Sequence, residues 1–249
     1  MRTVADLRVK IFADGADLPG ITKLYANPLI KGFTTNPTLM RKANITDYVA
    51  FAHEVLAAIP SHPVSFEVFA DEFSDMEAQA LEIASWGKNV YVKIPITNTK
   101  RASAVPLVQR LSKRGVQLNI TAVFTLEQVE AVTAALDANT PAMISVFAGR
   151  IADTGVDPLP LMAEAKKIAR AKPKAELLWA SPRELLNIFH ADSVGCDIIT
   201  VTPDVLAKLS LVGKNLDEYS LETVMMFYKD ASAAGYSIPQ GVRRAARAS

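Results

Sequence analysis

The sequence alternates short β-branched segments with longer segments of helical spacing, eight times in succession. The strand candidates, in chain order, are VKIFADG, GFTTN, VSFEVFA, NVYVKIPI, QLNITAVF, AMISVFAG, ELLWAS and DIITVTP. Between them lie segments with apolar residues three and four positions apart, such as DMEAQALEIASW, RASAVPLVQRLSKRG, LEQVEAVTAALDA, PLPLMAEAKKIARA and SPRELLNIFHAD. Strands that alternate with helices form a parallel sheet through right-handed crossovers, and eight such units close into a barrel.

The alternative architecture is an open doubly wound sheet, which needs fewer strands and usually has a glycine-rich first turn. No GxGxxG motif occurs, the length of 249 residues suits one α/β barrel, and no linker rich in Pro, Gly or Ser divides the chain. We therefore predict an α/β protein made of a single (β/α)8 TIM barrel with an extra C-terminal helix, LDEYSLETVMMFYKDASAAGY. The predicted domain spans residues 1–236, and the basic segment 237–249 is predicted to be a disordered tail or an intersubunit arm.

The charge balance points to a small-molecule partner. The chain has 27 basic and 26 acidic residues, a formal net charge of +1, so nothing electrostatic indicates nucleic acid or an anionic membrane surface. The N-terminal MRTVADLRVKIF lacks the apolar region of a signal peptide, and no apolar run reaches the roughly 18 residues that span a bilayer. These features predict a cytoplasmic protein.

Cysteine and histidine usage argues against a metal centre. Cys196 is the only cysteine, which excludes an intramolecular disulfide and a multi-cysteine metal site. The three histidines, His53, His62 and His190, are scattered without the close helical spacing of zinc ligands. We expect no metal and no cofactor, and we interpret Cys196 and His190 as structural.

A lysine interrupts one otherwise apolar strand. In NVYVKIP, Val90, Val92 and Ile94 share one face, whereas Tyr91 and Lys93 share the other, because successive side chains of a strand point to opposite sides. The apolar face should meet the helices, which directs Lys93 into the barrel. An unpaired buried ammonium is costly, so a lysine in this position needs either a partner or a chemical role.

The same alternation places polar side chains inside the barrel on neighbouring strands. Phe66, Val68, Leu118, Ile120 and Ala122 are predicted to face the helices. The predicted inward polar residues are Asp14, Thr34, Asn36, Glu67, Asn119, Thr121 and Ser145, most of them near the carboxyl end of a strand, and Ser181 on the seventh strand is assigned to the same cluster. Because barrel active sites lie at that end, the cluster predicts an active site, with Glu67 and Thr121 flanking Lys93.

The predicted cluster suits chemistry in which a lysine amine attacks a carbonyl group while carboxylates move protons. Burial favours the neutral, nucleophilic form of a lysine, the form used in Schiff-base chemistry, whereas neighbouring carboxylates favour the ammonium. Structural alternatives remain for each residue. Lys93 could reach the rim or pair with Glu67, Asp14 could cap a turn, and surface exposure is the usual state of arginines such as Arg150 and Arg183.

Seven short motifs occur in order on successive strands: FADGA, GFTTNPTL, FEVFA, VYVKIP, NITAVF, SVFAGRIAD and LWASPRE. Each is short, but their common order makes the set specific. The chain resembles the transaldolase family, including the short branch that contains fructose-6-phosphate aldolases, over about residues 9 to 236. The resemblance implies a class I aldolase mechanism without metal, and an assembly of either two or ten subunits with the C-terminal helix of short members on a neighbour.

In the implied reaction, Lys93 attacks the C2 carbonyl of a ketose phosphate, fructose 6-phosphate or sedoheptulose 7-phosphate, and forms an imine. Asp14 removes the C4 hydroxyl proton, the C3–C4 bond breaks, and a dihydroxyacetone unit stays on Lys93 until an aldose phosphate accepts it. Glu67 and Thr121 would hold the water used in imine formation and hydrolysis. This transfer belongs to the non-oxidative pentose phosphate pathway.

The resemblance also implies a substrate-binding set. Arg150, helped by Arg183 at the start of a helix, would bind the sugar phosphate, because a planar guanidinium suits bidentate contacts. Ser181 would lie against the dihydroxyacetone unit. The full implied set is Thr35, Asn36, Asn119, Ser145, Phe147, Arg150, Ser181 and Arg183.

Two positions distinguish the branches of the family. The aldolase branch typically has Gln at the position of Glu67 and Tyr at that of Phe147, so both residues here match the transaldolase branch. The alternatives are an aldolase-like lyase, a transaldolase for another ketose, and a non-catalytic sugar-phosphate-binding barrel, because barrels host many functions.

Overall fold

Eight parallel strands form a closed barrel in the computed structural model, which describes residues 3–238. The strands are β1 (Lys10–Asp14), β2 (Ile30–Thr34), β3 (Val64–Glu67), β4 (Val90–Pro95), β5 (Leu118–Val123), β6 (Ala142–Val146), β7 (Ala175–Trp179) and β8 (Ile198–Val201). They follow one another around the barrel in chain order, and β8 closes it by pairing with β1. The predicted (β/α)8 fold is confirmed, and each of the eight strand candidates overlaps a strand, although β2 and β7 begin one or two residues before their candidates.

Helices connect the strands. They are α1 (Leu18–Tyr25), α2 (Pro37–Lys42), α3 (Tyr48–Ala58), α4 (Phe73–Ser85), α5 (Val105–Lys113), α6 (Leu126–Ala135), α7 (Ala148–Ala152), α8 (Pro158–Ala169), α9 (Leu186–Ser193) and α10 (Pro203–Leu206). Several begin where the sequence supplies an N-cap. The side chains of Asp17, Asn36, Asp47 and Asp157 each accept a hydrogen bond from an amide of the first helical turn.

Side-chain alternation separates two apolar layers, as predicted. Phe66, Val92 and Ile120 belong to the layer between the strands and the helices and are fully buried. On the opposite face of the strands, a smaller cluster that includes Phe12 and Leu178 fills the barrel interior, with Tyr91 packed against it. This inner cluster leaves the carboxyl ends of the strands to polar residues.

One residue departs from the predicted alternation. Ala122 was expected to face the helices, but it lines the cavity at the barrel mouth. Its φ angle of 57° lies in the left-handed region, and the pairing of β5 with β6 shifts register between Ile120 and Val123. An irregularity of this kind breaks the period of two, so the simple alternation rule fails for this position.

The described chain divides into two compact units, the barrel up to Ser210 and a C-terminal unit that begins at Leu211. The C-terminal unit contains α11 (Leu216–Ala233), which confirms the predicted final helix. Asn215 caps α11 by accepting hydrogen bonds from the amides of Asp217 and Glu218. Most of the predicted tail, residues 239–249, lies outside the described residues, and the prediction of one domain stays a prediction.

Within residues 3–238, no helix combines the length and apolarity that a membrane span requires.

The lone thiol of Cys196 is buried and donates to backbone carbonyls of Leu177 and Ile198, and burial raises its pKa to about 12.

Candidate active site

A cavity of about 580 Å³ opens at the carboxyl ends of the strands. Eleven of the twelve predicted site residues line it, namely Asp14, Asn36, Glu67, Lys93, Asn119, Thr121, Ser145, Phe147, Arg150, Ser181 and Arg183. The fold therefore collects side chains from across the barrel into one site. The exception is Thr35, which is fully buried and whose hydroxyl donates to the carbonyl of Ser65 at 3.0 Å.

Lys93 lies deep in the cavity with only 7% of its surface exposed. Its Nζ is 3.1 Å from Oε2 of Glu67 and donates to the backbone carbonyl of Thr35 at 2.8 Å. The carboxylate and the carbonyl compensate the burial of the ammonium, which would otherwise be costly. Thr35 thus contributes to the site through its backbone, although its side chain does not reach the cavity.

Strand register explains which residues flank Lys93. Glu67 on β3 and Asn119 on β5 pair with Lys93 on its two sides. Thr121 pairs with Pro95, two residues closer to the mouth of the barrel. The expectation that Glu67 and Thr121 flank Lys93 is therefore correct for Glu67, whereas Asn119 holds the position expected for Thr121.

A chain of hydrogen bonds fixes the side-chain amide of Asn119. Ser145 Oγ donates to Asn119 Oδ1 at 2.6 Å, and Asn119 Nδ2 donates to Ser65 Oγ at 2.9 Å. All three side chains are buried. The bonds give the amide one orientation and hold a polar group beside Lys93 without placing a second charge there.

Asp14 is the last residue of β1 and also lines the cavity. Its carboxylate accepts hydrogen bonds from Thr34 Oγ1 at 2.7 Å and from Asn36 Nδ2 at 3.4 Å. Burial raises the pKa of Asp14 above its ordinary value, and the charge of Lys93 with these two hydrogen bonds lowers it by less. A carboxyl group with a raised pKa is a stronger base than an ordinary aspartate and is suited to accept and return a proton.

The two predicted phosphate-binding arginines differ in their contacts. The Arg150 guanidinium lies over the ring of Phe147, 5.3 Å from its centroid. The Arg183 guanidinium makes a bidentate ion pair with Asp153, with Nε donating to Oδ1 at 2.9 Å. The expectation that Arg183 opens a helix is wrong, because α9 begins at Leu186, three residues further along the chain.

Gly149 and Ser181 approach each other closely beside Arg150. A Cβ atom added to Gly149 would lie 1.5 Å from the carbonyl oxygen of Ser181, so only glycine fits there. Ser181 itself has a φ of 58°, a left-handed conformation that is uncommon for residues other than glycine. The contact fixes the relation of α7, which carries Arg150, to the turn that carries Ser181.

Other polar residues that line the cavity include Thr34, which was predicted to point inward but was not assigned to the site, and Lys42 and Thr200, which were not singled out. The hydroxyl of Thr34 joins Asp14 to the hydroxyl of Thr200. Alternation along DIITVTP places Thr200 on the face of Ile198, which belongs to the inner cluster, so the same rule applied to β8 would have found it. Lys42 ends α2 and has no comparable strand pattern.

The fold and the cavity define a (β/α)8-barrel protein with a polar site at the carboxyl ends of its strands, where barrel enzymes have their active sites. A family model described as transaldolase/fructose-6-phosphate aldolase matches residues 11–238. The chain belongs to this family and is an enzyme of it.

Individual relatives agree with this assignment. A "probable transaldolase" from Dehalococcoides mccartyi is 35% identical over 202 residues, covering 81% of this chain and 90% of the relative. Another from Brucella anthropi is 33% identical over 231 residues, covering 92% of this chain and 100% of the relative. A crystal structure titled "putative lyase/mutase" from Burkholderia cenocepacia aligns with a TM-score of 0.57 at 12% identity, covering 93% of this chain and 88% of the other. That likeness shows the fold alone.

Proposed function

We propose that the protein transfers a dihydroxyacetone unit from a ketose phosphate to an aldose phosphate through a Schiff base on Lys93. The observation that carries the proposal is the setting of Lys93, a buried lysine whose Nζ meets the carboxylate of Glu67 inside a polar cavity. The relatives named "probable transaldolase" support the same class of reaction.

The first step is imine formation. The neutral amine of Lys93 attacks the C2 carbonyl of the ketose, and the oxygen leaves as water after proton transfers. Glu67 is suited to these transfers because its Oε2 is 3.1 Å from Nζ. Thr121, which also lines the cavity, would help to hold the water.

The second step is carbon–carbon cleavage. The carboxylate of Asp14 takes the proton of the C4 hydroxyl, the C3–C4 bond breaks, and its electron pair moves into the enamine on Lys93. An aldose leaves. The raised pKa of Asp14 strengthens it as a base for this proton and lets it return the proton when the acceptor aldose is joined. Hydrolysis of the new imine releases the product.

Phe147 favours transfer over simple cleavage. Its ring packs against Phe124 at 5.6 Å and beneath Arg150, so this wall of the cavity supplies no hydroxyl to activate water. Release of free dihydroxyacetone requires a proton on C3 of the enamine before hydrolysis, and Phe147 cannot supply one, so the enamine persists until an aldose arrives. The second candidate, an aldolase-like lyase, would instead release free dihydroxyacetone.

One assay separates the two candidates. The protein is given fructose 6-phosphate with or without a four-carbon aldose phosphate, and glyceraldehyde 3-phosphate is measured. A transferase yields at most one equivalent per site without the acceptor and turns over with it. Repeated turnover without an acceptor, with free dihydroxyacetone as product, would identify the lyase.

We further propose a homo-oligomer that works in the cytoplasm as part of the pentose phosphate pathway. The support for an assembly is the exposed apolar side chains of α11, among them Val224, Met225 and Phe227, each about 60% exposed or slightly more. Light scattering on the full chain and on a version lacking residues 217–249 tests the assembly. An unchanged size after the deletion would exclude α11 as the contact.

A further inference from the structure

The hydroxyl group of Tyr48 contacts the backbone of Glu67 at both of its polar groups. It accepts a hydrogen bond from the Glu67 N–H at 2.8 Å and donates one to the Glu67 carbonyl at 2.9 Å. Tyr48 is the first residue of α3, outside the barrel. Its ring is held edge-on by Phe69, with centroids 4.4 Å apart, and by Trp86 at 5.9 Å.

The ladder between β2 and β3 explains why these backbone groups need a partner. Phe33 N–H donates to Pro63, and Thr35 N–H donates to Ser65 at 3.2 Å. In a regular parallel ladder the next bond would run from the Glu67 N–H to the Thr35 carbonyl. The bond after that would need an N–H at position 37.

Neither of these two ladder bonds forms. Position 37 is Pro37, which has no N–H and begins α2. The chain that follows β2 therefore turns away from β3 at this point. The Thr35 carbonyl accepts instead from Nζ of Lys93 at 2.8 Å. Without the Tyr48 hydroxyl, the N–H and the carbonyl of Glu67 would both lack a hydrogen-bond partner at the end of β3.

We propose that Tyr48 is a positioning residue for the reactive lysine. Its hydroxyl forms the hydrogen bonds with the Glu67 backbone that the chain after β2 would otherwise form, so the Thr35 carbonyl is available to accept from Nζ of Lys93. The inference rests on the proposed function, because it gives Lys93 its chemical role. The same oxygen fixes the end of β3, from which the Glu67 carboxylate reaches Nζ. The Tyr48 hydroxyl thus helps to position two groups that contact Nζ of Lys93, the Thr35 carbonyl and the Glu67 carboxylate.

Loss of the hydroxyl would leave the Glu67 amide to seek the Thr35 carbonyl, which Nζ of Lys93 already contacts, and β3 would have to move to reach it. A buried N–H without a partner is costly, and the Thr35 carbonyl is the acceptor that the ladder offers it. If the end of β3 moves toward Thr35 to form this bond, Nζ of Lys93 is displaced from the Thr35 carbonyl. The Glu67 carboxylate then moves together with β3. The amine would then be less well placed for attack on the ketose.

Tyr48→Phe tests this directly, because it removes one oxygen and keeps the ring against Phe69 and Trp86. The matched control is Tyr25→Phe, which removes a hydroxyl bonded to Ser61 Oγ at 2.7 Å from a ring also held by an edge-on aromatic contact. The rate of borohydride-trapped adduct at saturating fructose 6-phosphate, KM and Tm are measured for both variants.

We expect Tyr48→Phe to slow adduct formation by about 10- to 100-fold, the scale for a reacting group displaced by about 1 Å. KM should stay close to that of the wild type, because the phosphate contacts are untouched, and Tyr25→Phe should change neither quantity. An unchanged rate of adduct formation in Tyr48→Phe would overturn the proposal. So would a rise in KM that accounts for the whole loss of activity.

A crystal structure of Tyr48→Phe separates this proposal from the proposed function. It should show the Glu67 N–H bonded to the Thr35 carbonyl and Nζ of Lys93 moved away from it. An unchanged contact between Nζ and Thr35 would contradict the positioning role even if the wild type forms an adduct. Conversely, failure of the wild type to form any adduct would contradict the proposed function and the catalytic part of this inference together.

Discussion

Lys93 and Glu67 occupy paired positions on neighbouring strands, and their side chains meet with Nζ 3.1 Å from Oε2. The pairing has two consequences. It keeps a buried ammonium from being isolated, and it places a proton acceptor against the group that must lose a proton before it can attack a carbonyl. An ion pair with Glu67 was the structural alternative to a catalytic role for Lys93. The two interpretations describe the same contact, because the ion pair lies in the cavity at the mouth of the barrel.

Lys93→Met should abolish activity while the fold is kept. Methionine matches the length of most of the lysine chain but has no amine, so we expect a loss of about three orders of magnitude or more, the scale for removal of a nucleophile. Lys10→Met is the matched control, because Lys10 is also a strand lysine ion-paired with a glutamate, Glu176, but does not line the cavity. Steady-state turnover and circular dichroism of both variants test this. Full activity of Lys93→Met would rule out the Schiff base.

Asp14→Asn should stop the reaction after the imine has formed. The amide keeps the shape of the carboxyl group but cannot accept the C4 hydroxyl proton, so the C3–C4 bond stays intact. Borohydride should therefore trap the whole hexose phosphate on Lys93 in this variant, and intact mass distinguishes that adduct from a three-carbon one. A three-carbon adduct formed at the wild-type rate would assign the base to another residue.

The stability of the wild type should fall relative to Asp14→Asn as pH rises above about 4, the ordinary pKa of an aspartate. The folded pKa of Asp14 is raised by burial, so between its ordinary value of 3.8 and the raised value the folded state keeps a proton that the unfolded state loses. The charged groups that act on Asp14 are Lys93 and Glu67. Each kcal/mol of difference corresponds to about 2–4 °C in Tm for a chain of this size. A difference in Tm independent of pH would contradict the raised pKa.

Arg150 should contribute more to phosphate recognition than Arg183. The Arg183 guanidinium is already paired with Asp153, whereas Arg150 lines the cavity over the ring of Phe147. Arg150→Gln should raise KM for fructose 6-phosphate by about 10- to 100-fold, as for the loss of charge-assisted hydrogen bonds. It should change KM for unphosphorylated fructose much less. An equal or larger effect of Arg183→Gln would reverse the assignment.

Gly149→Ala should destabilise the protein despite the better helix propensity of alanine. Its Cβ would lie 1.5 Å from the carbonyl oxygen of Ser181, so the backbone of α7 or of the Ser181 turn must shift. We expect a cost of at least about 1–3 kcal/mol in the free energy of unfolding, the range for overpacking. Gly15→Ala is the control, because a Cβ there meets nothing within 4 Å. Equal midpoints of the two variants in urea would show that the close contact relaxes without cost.

The sequence predicted much of the fold and site because side-chain alternation is a local property. The strand residues Asp14, Glu67, Lys93 and Asn119 needed only their position in a strand to be placed inside the barrel, and the carboxyl ends of parallel strands meet by geometry. Ala122 shows the limit of the rule, since its left-handed φ interrupts the alternation.

What the sequence did not show depends on contacts between distant segments. The carbonyl of Thr35 reaches Lys93 because β2 turns away at Pro37, and Tyr48 meets Glu67 from a helix outside the barrel. Likewise, the partner of Arg183 is Asp153, thirty positions earlier in the chain. No periodicity encodes these contacts, so they follow only from the folded structure.

The most direct test of the central claim is the mass of the protein after incubation with fructose 6-phosphate and borohydride, followed by peptide mapping. The proposed mechanism predicts an adduct of dihydroxyacetone size on Lys93, which would establish imine formation and C3–C4 cleavage together. A reduced adduct on another lysine would contradict the assigned nucleophile. Tight binding of fructose 6-phosphate without any trapped adduct would contradict the Schiff base and favour a sugar-phosphate-binding barrel.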